Sequence, residues 1–164
     1  MLRRLIVMRH AKSSWKDVGQ TDHERPLNKR GRQDAPRVGE RLAALGWRPE
    51  RVLSSDARRT RETCELLCGE WEPAPEVSFH EELYLAGPST VADLLRELPD
   101  ELETALVLGH NDGWEHVVAW LSGRREHLTT ANAALLSLEA ASWSAAVDAA
   151  PGWTLHEVVR PKEL

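Results

Sequence analysis

No stretch of this 164-residue chain approaches the roughly 18 consecutive apolar residues that a membrane-spanning helix needs. Arg3 and Arg4 imitate the start of a signal peptide. The apolar run behind them, Leu5 to Met8, is too short for a signal core, and no small-residue cleavage site follows. The expected compartment is therefore the cytoplasm. Cysteine is scarce, with only Cys64 and Cys68. Four apart on a helix, the two share a face, but the ring they would close is too short and rigid for an ordinary disulfide. They read as two small core residues of a chain suited to a reducing compartment. Basic excess is lacking too: the formal charge is −5, which argues against a general nucleic-acid binder. A small anionic substrate stays open, because local field counts for more than net charge. Repeats and low-complexity linkers are absent.

With 41% apolar and 29% charged residues, the composition is that of a globular protein, expected as a single domain over residues 1–164. Apolar runs alternate with helical patterns. Leu5–Met8 reads as a buried strand. Asn28 is placed to cap a helix running to about Leu45, with Gly46 as its stop. Arg51–Ser54 reads as a strand and Asp56 to Cys68 as a helix. Val77–Phe79 is a third strand. Pro88 or Ser89 opens a helix that Pro99 closes. Ala105–Leu108 is a strand and Asp112–Leu121 a helix ending near Gly123. Ala134–Leu138 and Trp153–Val159 are the last strands, antiparallel or at an edge. Strands alternating with helices imply an α/β fold, a three-layer α/β/α sandwich with a mostly parallel sheet. Five of the tryptophans (Trp47, Trp71, Trp120, Trp143 and Trp153) read as packing residues, and Trp15 as a candidate for a pocket rim.

In such sheets ligands bind at the carboxyl ends of the strands. Three strand exits carry suitable groups. The first delivers Arg9 and His10. The second leads into a helix bearing Arg58, Arg59 and Arg61. The third delivers His110. If they converge, the pocket holds two imidazoles and at least two guanidiniums, a composition that suits a dianion such as a phosphoryl group. A histidine among arginines is held neutral, since positive charge disfavours imidazolium. His10 is then a nucleophile for phosphorus, provided an acceptor such as a backbone carbonyl holds its other ring N–H. His110 would donate to an oxygen of the transferring group. Arg25, in a loop near the first exit, is a further candidate contact, and Ser13 could add a hydroxyl.

The segments are more specific together. Leu5-Ile6-Val7-Met8-Arg9-His10-Ala11 resembles the strand and RHG signature of the histidine phosphatase superfamily, the phosphoglycerate mutase-like fold, with Ala11 in place of the glycine. Asp22 to Gly31 resembles its D-x-x-R-P-L-x-x-x-G segment. Ser54 to Thr63 resembles S-S-P-x-x-R-A-x-x-T, a pattern that selects Arg59 over Arg58. Val107-Leu108-Gly109-His110-Asn111 resembles the closing V-x-G-H-N and adds Asn111 to the candidate contacts. The short chain, Arg9 to Trp15 and Glu82-Leu83-Tyr84-Leu85-Ala86 resemble the SixA-type phosphohistidine phosphatases. The resemblance implies Arg9, His10, Arg59 and His110 as the catalytic set and a phosphohistidine intermediate on His10.

Larger family members acting on phosphate esters resemble one another in carrying a general-acid carboxylate between the arginine helix and the second histidine. Glu81 and Glu82 are the candidates here, and neither sits in a clear acid motif. An alkoxide leaves poorly without a proton, whereas a P–N bond breaks more readily. The expected substrate is therefore phosphohistidine on a protein, such as a phosphotransfer domain. The alternatives are a small-molecule phosphomonoesterase or mutase of the same fold and, in another class, an inactive phosphate-binding interaction module. No cofactor is expected. The closest histidine pair, His110 and His116, lacks metal-ligand spacing, and Asp112 and Glu115 are too few acids for a metal-dependent hydrolase. Nucleic-acid and membrane partners are not expected.

Overall fold

The computed structural model describes residues 1–164. The chain runs β1 (Leu2–Arg9), α1 (Lys29–Ala44), β2 (Arg51–Ser55), α2 (Arg58–Cys68), β3 (Glu76–His80), α3 (Pro88–Arg96), β4 (Thr104–Gly109), α4 (Gly113–Ser122), β5 (Ala133–Glu139), α5 (Trp143–Asp148) and β6 (Thr154–Val159). Single 3-10 turns lie at Asp22–Glu24, Glu81–Leu83 and Pro161–Glu163. The strands form one sheet in the order β3-β2-β4-β1-β5-β6. β3, β2, β4 and β1 are parallel, β5 runs antiparallel to β1, and β6 antiparallel to β5.

The central strands are buried on both faces, so they read as continuous apolar runs rather than alternating ones. Leu5 and Val7 of β1, with Ala105 and Val107 of β4, point into a core shared with Val91, Leu95, Trp114, Val118 and Trp143 of α3, α4 and α5. Ile6, Met8, Leu106 and Leu108 point the other way, onto Val38, Leu42, Cys64 and Leu67 of α1 and α2. This is the expected three-layer arrangement. The sheet is parallel in its first four strands, as expected, and antiparallel at the β5–β6 edge.

Local signals fix most boundaries. Asn28 Oδ1 accepts the Gly31 amide at 2.9 Å, and Gly46 follows α1 with φ +79°. Gly123 ends α4 in the left-handed region at φ +72°, a conformation that favours a residue without Cβ. α2 starts two residues later than the expected Asp56, after an Ala57 cap. Trp153 was expected to open the last strand. It lies just before β6, and its indole donates to the Ala146 carbonyl at 2.9 Å in the core. α5 had no sequence expectation; Ser142 caps it by accepting the Ala145 amide at 3.0 Å. Arg3, far from a leader residue, is buried and donates to the carbonyls of Asp100 (2.6 Å), Leu102 (2.9 Å) and Ala141 (2.8 Å). Cys64 and Cys68 are both free, with their sulfurs 4.0 Å apart.

Candidate active site

The parallel pairing Arg9↔Gly109 and Ser54↔Leu108 brings the ends of β1, β4 and β2 side by side. The exits meet at a cleft of about 440 Å³ lined by Arg9, His10, Ser13, Trp15, Asp22, Arg25, Arg59, Leu85, His110, Asn111 and Thr130. All seven expected contacts at the three exits and the loop (Arg9, His10, Ser13, Arg25, Arg59, His110 and Asn111) therefore share one cavity. Glu81 and Glu82 do not. Both are exposed in the turn after β3, and Glu82 pairs with His80 at 3.3 Å.

His10 leaves β1 with its ring buried. Its Nδ1 lies 2.6 Å from the Ala11 carbonyl, so Nδ1 carries the proton and donates it there. Nε2 makes no hydrogen bond and keeps its lone pair. Burial pushes the imidazole down to about 3; the Ala11 bond opposes the shift, and the guanidiniums of Arg59, Arg9 and Arg25 add to it. The His110 ring centroid is 5.3 Å from that of His10. His110 is likewise lowered to about 3, by burial first, then by His10 and Arg59. Its Nε2 is 2.9 Å from Ser55 Oγ, while Nδ1 is buried without a partner. The rings are thus both neutral, with one nitrogen each unengaged.

The cations are held from behind. Arg9 donates from Nη1 to the Leu128 carbonyl at 2.9 Å. Asn111 spends its amide protons on that same carbonyl (2.8 Å) and on Glu115 Oε2 (2.6 Å), and Glu115 also accepts the Leu128 amide at 3.0 Å. Asn111 therefore braces the wall behind Arg9, leaving only its Oδ1 unpartnered. Arg59, 3% exposed, donates to the Asp22 carbonyl (2.6 Å) and carboxylate (3.0 Å). Arg25 donates to Asp22 Oδ1 at 2.8 Å, to the Ser14 carbonyl at 3.2 Å and to Ser13 Oγ. The Trp15 ring lies against Arg25, with the guanidinium carbon 3.2 Å from its centroid. A carboxylate linking two guanidiniums in this way fixes both forks.

Asp22 is the residue that sequence reasoning passed over. It stood in the D-x-x-R segment three residues before Arg25, a spacing that already placed acid and base together. Burial pushes its carboxyl up, but hydrogen bonds from Tyr84, Arg25 and Arg59 overcome this and hold it well below the usual carboxylate range. Ser55 and Tyr84 were also missed. The Tyr84 hydroxyl donates to Asp22 Oδ2, and its ring meets His110 edge-on at 5.3 Å. Among the other histidines, His23 contacts Asp56 at 2.9 Å, His127 contacts Glu115 at 3.0 Å and His156 contacts Ser137 at 2.6 Å. His116 is exposed on α4 and outside the cleft.

Residues 5–84 match the sequence profile of the histidine phosphatase superfamily, branch 1. The chain belongs to that family, and it is a phosphatase. An uncharacterized chloroplastic protein of Arabidopsis thaliana is 40% identical over 97% of this chain and 78% of its own length. An uncharacterized protein of Mycobacterium tuberculosis is 41% identical over 63% of this chain, a match that spans 62% of that relative. Among solved structures, a protein provisionally named phosphohistidine phosphatase SixA, from Nakamurella multipartitia, superposes with a TM-score of 0.85. It is 25% identical, with 98% of this chain and 97% of that one covered. The SixA-type fold expected from the sequence is thus the fold of this chain. No helix is long and apolar enough to cross a membrane. A chloroplastic relative leaves the compartment open.

Proposed function

We propose that the protein is a phosphohistidine phosphatase in which His10 takes up the phosphoryl group. The observation that carries this reading is the absence of a proton donor for an alkoxide. Asp22 is the one carboxylate in the cleft wall, and its three hydrogen bonds hold it ionised. Glu81 and Glu82 stand outside. A phosphate ester would have to expel an unprotonated alkoxide, whereas a phosphoramidate expels an imidazole whose nitrogen is far less basic.

In the first step, His10 Nε2 forms a bond to phosphorus while the P–N bond of the substrate breaks. The departing imidazole nitrogen takes its proton from solvent at the cleft mouth. The negative oxygens of the transferring group are met by Arg9, Arg25 and Arg59. A Ser55 hydroxyl donating to His110 Nε2 leaves the His110 proton on Nδ1, the unpartnered nitrogen, which then donates to a phosphoryl oxygen. In the second step, water attacks phosphorus, the His10–phosphorus bond breaks with its electron pair returning to Nε2, and the protons of the water leave on the oxygens of the released phosphate. Ser13 and Asn111 act through the wall: Ser13 holds Arg25, and Asn111 the carbonyl that holds Arg9.

The test is incubation of wild type and His10→Ala with a phosphorylated histidine-phosphotransfer protein and with an alkyl phosphate ester, phosphoserine, whose alkoxide needs a proton to leave. The expected result is strong preference for the first and its loss in the variant. Equal turnover of the ester would overturn the substrate assignment, and a radiolabelled phosphoenzyme in His10→Ala would overturn the nucleophile.

A further inference from the structure

A second cavity lies behind the Arg9 wall. It measures about 250 Å³ and is lined by Arg9, Lys12, Arg30, Asp34, Thr129, Thr130, Pro161 and Lys162. Of its lining residues the mechanism above uses only Arg9. Arg9 and Thr130 line both cavities, so the two are adjoining compartments of one surface. Its walls offer four cations against one carboxylate. Asp34, largely buried, is already satisfied: Arg30 Nε lies 3.6 Å from one of its oxygens and Arg37 Nη1 3.5 Å from the other. Lys12, Lys162 and Arg9 have no carboxylate within ion-pair distance. In a protein of net charge −5, such a local concentration of unpaired cations is not an average surface.

The fold builds this cluster. The first turn of α1 presses against the backbone of Lys12, since the Asn28 amide donates to the Lys12 carbonyl at 2.9 Å. Any Cβ at Gly31 would overlap that carbonyl, so only glycine lets the helix approach this closely. Arg30 and Lys12 are thereby brought to the same cavity. Lys162 arrives from the last 3-10 turn, whose Pro161 is buried.

We propose that this cavity receives acidic side chains of the protein that presents the phosphohistidine, so that an acidic segment beside the phosphoryl group docks while phosphorus is held by the catalytic cleft. The inference rests on the phosphohistidine reading above. The chemistry favours carboxylates. Apart from the buried Pro161, the walls carry no apolar or aromatic side chain on which a base could stack, and two of the cations are flexible, exposed lysines that follow a mobile acidic side chain. Association should also be faster at low salt, since a basic mouth draws in an acidic partner.

The experiment compares two synthetic phosphohistidine peptides, one with glutamates and one with glutamines around the phosphorylated residue, with phosphoimidazole as a third substrate. The enzymes are wild type, the triple variant Lys12→Gln/Arg30→Gln/Lys162→Gln and the charge-keeping variant Lys12→Arg/Lys162→Arg. Wild type should prefer the acidic peptide in kcat/KM by roughly tenfold, mainly through KM, as expected of two or three exposed ion pairs. The ratio between peptides should fall to about one in the triple variant and survive in the charge-keeping one. Because it is a ratio, partial unfolding of a variant does not mimic the effect. Turnover of phosphoimidazole with no acidic preference, or a preference that persists in the triple variant, overturns the docking site alone. Failure of wild type to hydrolyse phosphoimidazole and both peptides overturns the reaction assignment and the inference together.

Discussion

Lowering the pH from 7 to 5 should destabilise this protein through two side chains, His10 and His110. Both are lowered from an ordinary 6.5 to about 3 in the folded chain, by burial in the first place. The unfolded chain takes up protons on both as the pH falls through 6.5, and the folded chain does not. Stability from these groups is thus fully present above pH 6.5 and is lost as pH falls toward 3. By linkage, each histidine costs about 2 kcal/mol between pH 7 and pH 5, and the pair about 4 kcal/mol. That is a large part of the 5–15 kcal/mol that usually separates folded from unfolded chains. It corresponds to a fall in Tm of roughly 10 °C for a domain of this size. Asp22 and Glu115, whose carboxyls are also shifted, titrate below this window, so they do not blur it. The assay is urea unfolding of wild type and His10→Gln/His110→Gln at pH 5, 6 and 7. The double variant should show a much flatter dependence on pH, whatever its stability at pH 7. Equal slopes in the two proteins would refute the claim that these rings are buried neutral.

Three further outcomes follow from the geometry. Ser55→Ala removes the partner of His110 Nε2, and an orphaned buried donor or acceptor costs about 1–3 kcal/mol; kcat on a phosphohistidine substrate should fall by roughly tenfold or more with little change in KM, measured under steady state. Glu81→Gln and Glu82→Gln should leave that turnover within about twofold of wild type, since neither side chain reaches the cleft and surface changes are nearly neutral. Gly109→Ala drives a Cβ into the buried Trp114 ring directly before His110; urea denaturation should report a loss of about 1–3 kcal/mol, and activity should fall with it.

Much of this architecture is legible in the residues. The continuous apolar runs at Leu5–Met8 and Ala105–Leu108 read as doubly buried strands because helices cover both sheet faces. Asn28, Gly46 and Gly123 read as helix ends because their roles are local. α5 was not legible: Trp143–Asp148 is short, with two alanines at its centre, and its stability comes from burying Trp143 and Val147 against distant α3 and from the Trp143 indole donating to the Leu102 carbonyl. At the site, the imidazoles and arginines were legible because strand ends place them. The links between them were not. Asp22 touches Arg59 and Tyr84 across 37 and 62 residues of sequence, and Ser55 touches His110 across 55. Such pairings depend on side-chain direction in the folded molecule. Glu81 and Glu82 looked eligible because they stand in sequence between the arginine helix and the second histidine, an order that does not bring them to the cleft.

Strand β1 carries the nucleophile at its end, yet it sits in the middle of the sheet, between β4 and β5. Its partners lie about 100 and about 130 residues further along the chain, so the earliest-synthesised strand is among the last to be completed. A growing polypeptide carries His10 long before it carries the walls that bury and neutralise it. The groups that line its cleft extend as far along the chain as His110, Asn111 and Thr130. The whole cleft, from Arg9 to Thr130, therefore exists only after about four-fifths of these residues have been joined, although its nucleophile is among the first.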